Sequence, residues 1–165
     1  MTALNKELKE MQALGVFDGL TGVYTRPFAQ RLIHYESSIS LALIDVDGLK
    51  ALNDGAGHRA GDQALLRISA ALSARFQQNQ IVARWGGDEF LIFDPEGRDL
   101  APGLQACLQD LADQTSKDGP ETIITRFSYG VAWGREADNL AAALELADQR
   151  LYAHKAKKSR LMASQ

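Results

Sequence analysis

Ile81–Phe93 reads IVARWGGDEFLIF. Two hydrophobic runs rich in β-branched and aromatic residues flank Gly86 and Gly87, and Asp88 and Glu89 follow the glycines directly. This is the pattern of a β-hairpin whose turn carries two carboxylates. Glycine and aspartate also suit any solvated turn, so the stretch alone admits two readings, a bland surface hairpin or a ligand or metal site. A second acidic cluster elsewhere in the chain tips the balance.

That cluster closes the strand expected to begin at Ile39 and continue through Ser40–Val46 (SLALIDV), an apolar run of the kind buried on both faces. Asp45 and Asp47 are two apart, so a continuing strand points both to one face with Val46 opposed. Gly48–Gly61 (GLKALNDGAGHRAG) holds four glycines, several polar side chains and Lys50, and reads as a loop dense with ligand contacts. A helix is expected to begin around Gly61 and Asp62, because Leu65, Ile68, Leu72 and Phe76 recur near a 3.6-residue period and Leu66 widens the same stripe.

Further out, Ala3–Leu14 spaces Leu4, Leu8 and Met11 helically and ends at Gly15. It reads either as the tail of a helix entering from an upstream module or as an N-terminal helix lying on its own domain. Asp18–Tyr24 is a turn-rich loop, after which Thr25 can cap a helix that has Pro27 in its first turn and stops near Glu36–Ser38. Beyond the hairpin come a turn at Pro95–Asp99, a helix over Leu100–Ala112 with Leu104, Cys107, Leu108 and Leu111 on one side, a polar loop at Thr115–Gly119, and a long strand over Thr122–Trp133. Asp138 and Asn139 can cap a last helix whose stripe is Leu140, Leu144, Ala147, Leu151 and Tyr152, and whose end carries Lys155, Lys157, Lys158 and Arg160. The order predicts helices against a mixed sheet centred on an antiparallel pair.

The 165 residues, 45% hydrophobic and 24% charged, suit one compact α/β domain. A net charge of -3 gives no global basic field for nucleic acid, so an anionic substrate needs local cations or metal. Cys107 is the only cysteine, which excludes an intramolecular disulfide framework and suits a reducing compartment. No apolar run approaches the roughly 18 residues of a membrane span, and the expectation is a cytoplasmic domain without direct membrane contact.

If the strand ending at Asp45 and Asp47 lies beside the hairpin, carboxylates from both places meet at one edge of the sheet. Like charges so close are unfavourable unless they bind protons or a cation. Oxygen ligands without a cysteine or histidine cluster favour magnesium or manganese over zinc. Such a metal bridges phosphate oxygens, with Lys50 and the basic end of the last helix available to the outer phosphates; taken singly, each lysine reads as a solvated helix end, where a cation stabilises the C-terminus, before it reads as a ligand. His58, amid glycines, reads as a hydrogen-bonding support or as a general base. Trp85 and Trp133 read as sheet packing or as covers for a purine. Nothing spells a nucleophilic triad, a thiol site or a dinucleotide fingerprint.

These residues resemble the GGDEF domain family, the diguanylate cyclases, from Asp18 to about Arg160. Gly86, Gly87, Asp88, Glu89 and Phe90 spell the signature. Before it stand Asp18, Leu20, Thr21 and Gly22, then Asp45, Asp47, Lys50, Asn53, Asp54, Gly57, His58, Gly61, Asp62 and Leu65; after it come Ala147, Asp148, Leu151, Tyr152 and Lys155. The resemblance implies an α/β (α+β) fold with a mixed, mainly antiparallel five-stranded sheet flanked by helices, of nucleotide-cyclase or palm type. It divides the chain into an N-terminal linker helix, residues 1–15, and the domain proper, residues 16–165. It implies condensation of two GTP into cyclic di-GMP and two pyrophosphates, in a transient homodimer, with Mg2+ or Mn2+ and an upstream sensory or dimerising module as partners; the alternative is an inactive GTP-binding or protein-interaction module. Family roles carried to these positions make Asp45, Asp88 and the Val46 carbonyl metal ligands and Glu89 a helper of the metal or the attacking hydroxyl. Asn53 and Asp62 would read guanine, and Lys50 and Lys155 the terminal phosphates. Three departures stand out. The family's inhibitory Arg-x-x-Asp motif falls on Gln77 and Gln80, so no inhibitory product site is expected. Thr25 and Pro27 replace the usual Asn and second Arg. The phosphate-contacting Arg four residues after the Lys falls on Ser159, with Arg160 displaced by one, about 100 degrees around a helix.

Overall fold

The structure is a computed structural model describing residues 2–119, 123 and 125–165. Strand β2 (Ser40–Val46) is its axis: six of its seven residues are buried, as expected of a strand covered on both faces. β4 (Glu89–Asp94) and β5 (Phe127–Trp133) pair with it on either side, both antiparallel. β3 (Ile81–Arg84) pairs with β4, so Ile81–Phe93 is the expected hairpin. β1, only Tyr24–Thr25, adds a parallel edge to β3 and completes a mixed, mainly antiparallel five-stranded sheet in the order β1-β3-β4-β2-β5.

Alternation along the strands separates two cores. Ala42, Ile44, Phe90, Ile92, Phe127 and Val131 pack against α4 (His58–Arg75) and α5 (Ala101–Asp118). Leu41, Leu43, Ala83, Leu91, Phe93 and Ala132 face α2 (Arg26–Leu32) and α6 (Leu140–Ala163). By the same parity Asp45, Asp47 and Glu89 fall on the α6 face. α6 lies unusually close there: a Cβ on Gly130 would sit 2.0 Å from the Ala147 carbonyl oxygen and 2.4 Å from the Leu151 nitrogen. Asn139 caps this helix, its side chain accepting from the Ala142 N–H at 2.9 Å.

Several boundaries differ from the sequence expectation. The polar segment after β2 is not a loop: α3 (Leu49–Ala56) forms there with no buried residue, held on the surface by partly buried Leu49, and α4 starts at His58 rather than Gly61. α2 stops at Leu32, because Ile33 turns extended to bring the chain to β2. α5 runs through the expected polar loop to Asp118; Thr115 and Ser116 bond back to the Leu111 and Ala112 carbonyls at 2.9 and 3.1 Å, which satisfies their hydroxyls inside the helix. β5 begins at Phe127, with Thr125 and Arg126 outside it, while Thr122 and Ile124 of the expected strand lie outside the described residues. Leu66 and Tyr152 do not join the buried stripes and are 42% and 75% exposed. On α6 the buried positions are Ala143, Ala147 and Leu151, and Tyr152 falls one step around from them.

α1 (Ala3–Ala13) keeps Leu4 and Leu8 65% and 44% exposed, so it does not lay its apolar side on the domain. No helix among the described residues is long and apolar enough to cross a membrane.

Candidate functional site at the acidic edge of the sheet

Strand register creates the site. Asp45 stands directly opposite Glu89 on β4 and Ser128 on β5. The next residue, Val46, donates its N–H to the Asp88 carbonyl at 2.9 Å, tying the hairpin turn to the end of β2. The turn is tight: the Trp85 and Gly86 N–H groups both donate to the Glu89 carbonyl, at 2.7 and 3.2 Å. A Cβ on Gly86 would meet Glu89 Oε2 at 2.7 Å, so the carboxylate is folded beneath the first signature glycine.

The electrostatics follow from that crowding. Burial, together with the charge of neighbouring Asp88, pushes the Asp45 carboxyl above its ordinary range despite Lys155. Burial likewise pushes Glu89 up, reinforced by Asp45 and Asp88. The Lys155 ammonium bonds Asp45 Oδ2. Burial works against the charge on this amine, but the bond to Asp45 and the charges of Asp45, Asp47 and Asp88 outweigh it, and its pKa rises. Asp45 Oδ1 is buried with no partner among the described residues. A buried carboxylate oxygen without a donor is costly, and a cation or a proton relieves it. Oxygen chemistry therefore fits a hard divalent ion at Asp45 and Asp88, although among the described residues no three His, Cys, Asp or Glu side chains are close enough to hold a metal by themselves.

The remaining expected site residues lie on α3, α4 and α6. Asn53 on α3 is packed against α4 at Gly61, where a Cβ would clash with Asn53 Oδ1 at 1.9 Å. That oxygen is also buried and unpartnered. Lys50 on α3, Asp62 on α4 and Arg160 near the end of α6 are exposed, and among the described residues none makes a side-chain hydrogen bond with the acidic edge. His58 is exposed at the start of α4. Trp85 is buried, with the Arg26 guanidinium 4.6 Å from its ring centre, so it packs rather than covers a ligand.

Two linkages were missed by sequence reasoning. Lys158 Nζ donates to Asp47 Oδ2 at 2.9 Å, and Ser128 Oγ donates to Asp47 Oδ1 at 2.7 Å. The signal was present, since Lys155 and Lys158 share a helix face three residues apart and Asp45 and Asp47 share a strand face. Arg84, ahead of the glycines, bonds the Gly87 carbonyl at 2.7 Å and pairs with Asp18 at 3.2 Å. Burial would raise the Asp18 carboxyl, but bonds from the Thr21 hydroxyl and N–H, and Arg84, hold it below its usual range. The loop at Asp18–Gly22 is thereby fastened to the signature turn.

Residues 16–160 match the family model described as diguanylate cyclase, GGDEF domain. The diguanylate cyclase VdcA of Vibrio cholerae is 30% identical over 92% of this chain and 48% of its own length. The cyclic di-GMP phosphodiesterase PdeB of Shewanella oneidensis is 32% identical over 76% of this chain but 15% of its own. Among solved structures, the diguanylate cyclase SiaD of Pseudomonas aeruginosa, crystallised with its activator SiaC, superposes with a TM-score of 0.76 at 30% identity, covering 93% of this chain and 62% of that one. The chain spans about half the length of VdcA. It belongs to the GGDEF domain family.

Proposed function

We propose that this GGDEF domain is a diguanylate cyclase, condensing two GTP into cyclic di-GMP and two pyrophosphates. The observation that carries the reading is the buried, unpartnered Asp45 Oδ1 beside Asp88 and Glu89. Asp45, Asp88 and the Val46 carbonyl would hold Mg2+ or Mn2+, which when bound supplies Lewis-acid charge to the α-phosphate and the attacking hydroxyl. Each domain would bind one GTP. Asn53 Oδ1 and the Asp62 carboxylate would accept hydrogen bonds from the guanine edge. Lys155, already drawn to Asp45, and Lys50 would neutralise the outer phosphates. Glu89, whose raised pKa suits proton acceptance, would take the proton of a ribose 3′-hydroxyl supplied by the GTP of the facing domain. That oxygen bonds to the α-phosphorus, the bond to the pyrophosphate oxygen breaks, and the second condensation repeats the step with the roles exchanged. Positioning and electrostatics carry most of such a reaction. A lone domain therefore binds GTP but completes nothing.

The second reading is a GTP-binding regulatory module. Ser159 in place of the phosphate-contacting Arg favours it, and so does the presence of a related domain within a phosphodiesterase. Purified protein, free and fused to a dimerising helix, incubated with GTP and magnesium separates the two: cyclic di-GMP from the fused form supports the cyclase, and GTP binding without product from either form supports the regulator.

A further inference from the structure

We propose that the cavity between the ends of β2 and β5 and the last turns of α6 seats the outer phosphates of the nucleotide, with Arg126 and Lys158 as their ligands. The inference rests on the GTP reading above and assigns the terminal phosphate contacts that Ser159 leaves open.

The cavity holds about 470 Å³, and its charged lining is Asp47, Arg126, Lys155 and Lys158. Three cations thus face one carboxylate, and even when Asp45 is set against Lys155 one positive charge is left over. Arg126 is that surplus. Its backbone carbonyl accepts the Asp47 N–H at 2.9 Å, which fixes its position beside the end of β2. Its side chain is exposed and makes no hydrogen bond or ion pair among the described residues. A guanidinium presents five donors in a planar fork that matches phosphate oxygens two at a time.

Lys158 completes the seat. Its Nζ is 2.9 Å from Asp47 Oδ2 and 2.5 Å from the Phe127 carbonyl, so two of its three donors are committed and one remains. Asp47, itself fixed by Ser128, holds this ammonium at the cavity instead of letting it sweep through solvent. Ser159 lends no charge, since its hydroxyl bonds the Lys155 carbonyl within the helix at 3.2 Å. Arg160 does not line the cavity. Leu161 and Met162 do, as an apolar rim that is itself largely exposed. Positive charge missing from one helix position is therefore resupplied from the β5 side and from one residue earlier on α6.

Calorimetric titration of the intact chain with GTP, GMP and inorganic tripolyphosphate tests the assignment, using Arg126→Ala and Lys158→Met. Each variant is expected to weaken GTP and tripolyphosphate by about tenfold, equivalent to ~1.4 kcal/mol, and to leave GMP unchanged; Arg126→Ala, which breaks no side-chain bond among the described residues, should also keep the parent's melting temperature. Arg126→Lys should recover part of the loss. Unaltered GTP and tripolyphosphate binding by Arg126→Ala overturns the proposal, as does an equal loss for GMP. Parent protein that binds tripolyphosphate but not GTP, with the loss in both variants, upholds the phosphate seat and rejects the GTP reading; a parent that binds neither rejects both.

Discussion

Asp45 is the residue on which the proposed chemistry turns, because among the described residues it is the one carboxylate with one oxygen bound to an ammonium and the other buried without a partner. Replacing Lys155 by Met keeps the side-chain bulk but leaves that carboxylate buried and unpaired. Unfolding in urea at neutral pH is expected to show a loss of about 1–3 kcal/mol; an unchanged midpoint would show the pair to be too solvated to matter. Glu136 gives a different handle at the residue scale. The Arg150 guanidinium, at 2.7 Å, and the Trp133 N–H hold its carboxyl down at about 2 from an ordinary 4.5. A carboxylate depressed on folding contributes stability that is complete above its unfolded pKa and is lost as pH falls through the folded one. Stability should therefore decline between about pH 4.5 and 2, and Glu136→Gln should flatten that part of the profile; an identical slope in the variant would contradict the pairing. The meeting of the β2 acids with the hairpin turn was legible in the sequence, and the shared faces of Lys155 with Lys158 and Asp45 with Asp47 hinted at a link, but joining Lys158, Asp47 and Ser128 needs the register between α6, β2 and β5.

At the scale of elements, β2 and the hairpin were legible because each carries its own signal, a run of buried apolar residues in one and two short strands around glycines in the other. α3 was not. None of its residues is fully buried, so it lacks the long apolar stripe that announces a helix, and its glycines resemble a loop. β1 is two residues long, too short for any pattern, and exists because β3 offers it a parallel edge. α6 was read correctly as an element but not in how closely it approaches the sheet. Its lysines reach the acidic edge because Gly130 lets its backbone rest on β5. Gly130→Ala must push the helix outward or strain the strand, and overpacking of this kind costs about 1–3 kcal/mol. The variant should unfold at lower urea and bind GTP more weakly, and full retention of both would show that α6 has more freedom than this contact implies.

At the scale of the molecule, the three-layer packing explains why the two acidic segments, far apart in sequence, share one edge: β2 is central, and the hairpin pairs beside it. In the proposed cyclase the acidic edge is half of a reaction centre, completed by a second copy. α1, with its leucines exposed, is the element proposed to join this domain to an upstream dimerising or sensory module. Removing residues 2–14 should leave the fold intact and alter association measured by light scattering; an unchanged mass and unchanged turnover would assign the helix no such part. The most direct measurement is mass-spectrometric detection of cyclic di-GMP from a forced dimer given GTP and magnesium, parent beside Asp88→Ala. Product is expected from the parent and a loss of about 100-fold or more in the variant, in line with removing a group that stabilises charge in the transition state, with melting unchanged. Equal product from both would contradict the proposed reaction centre.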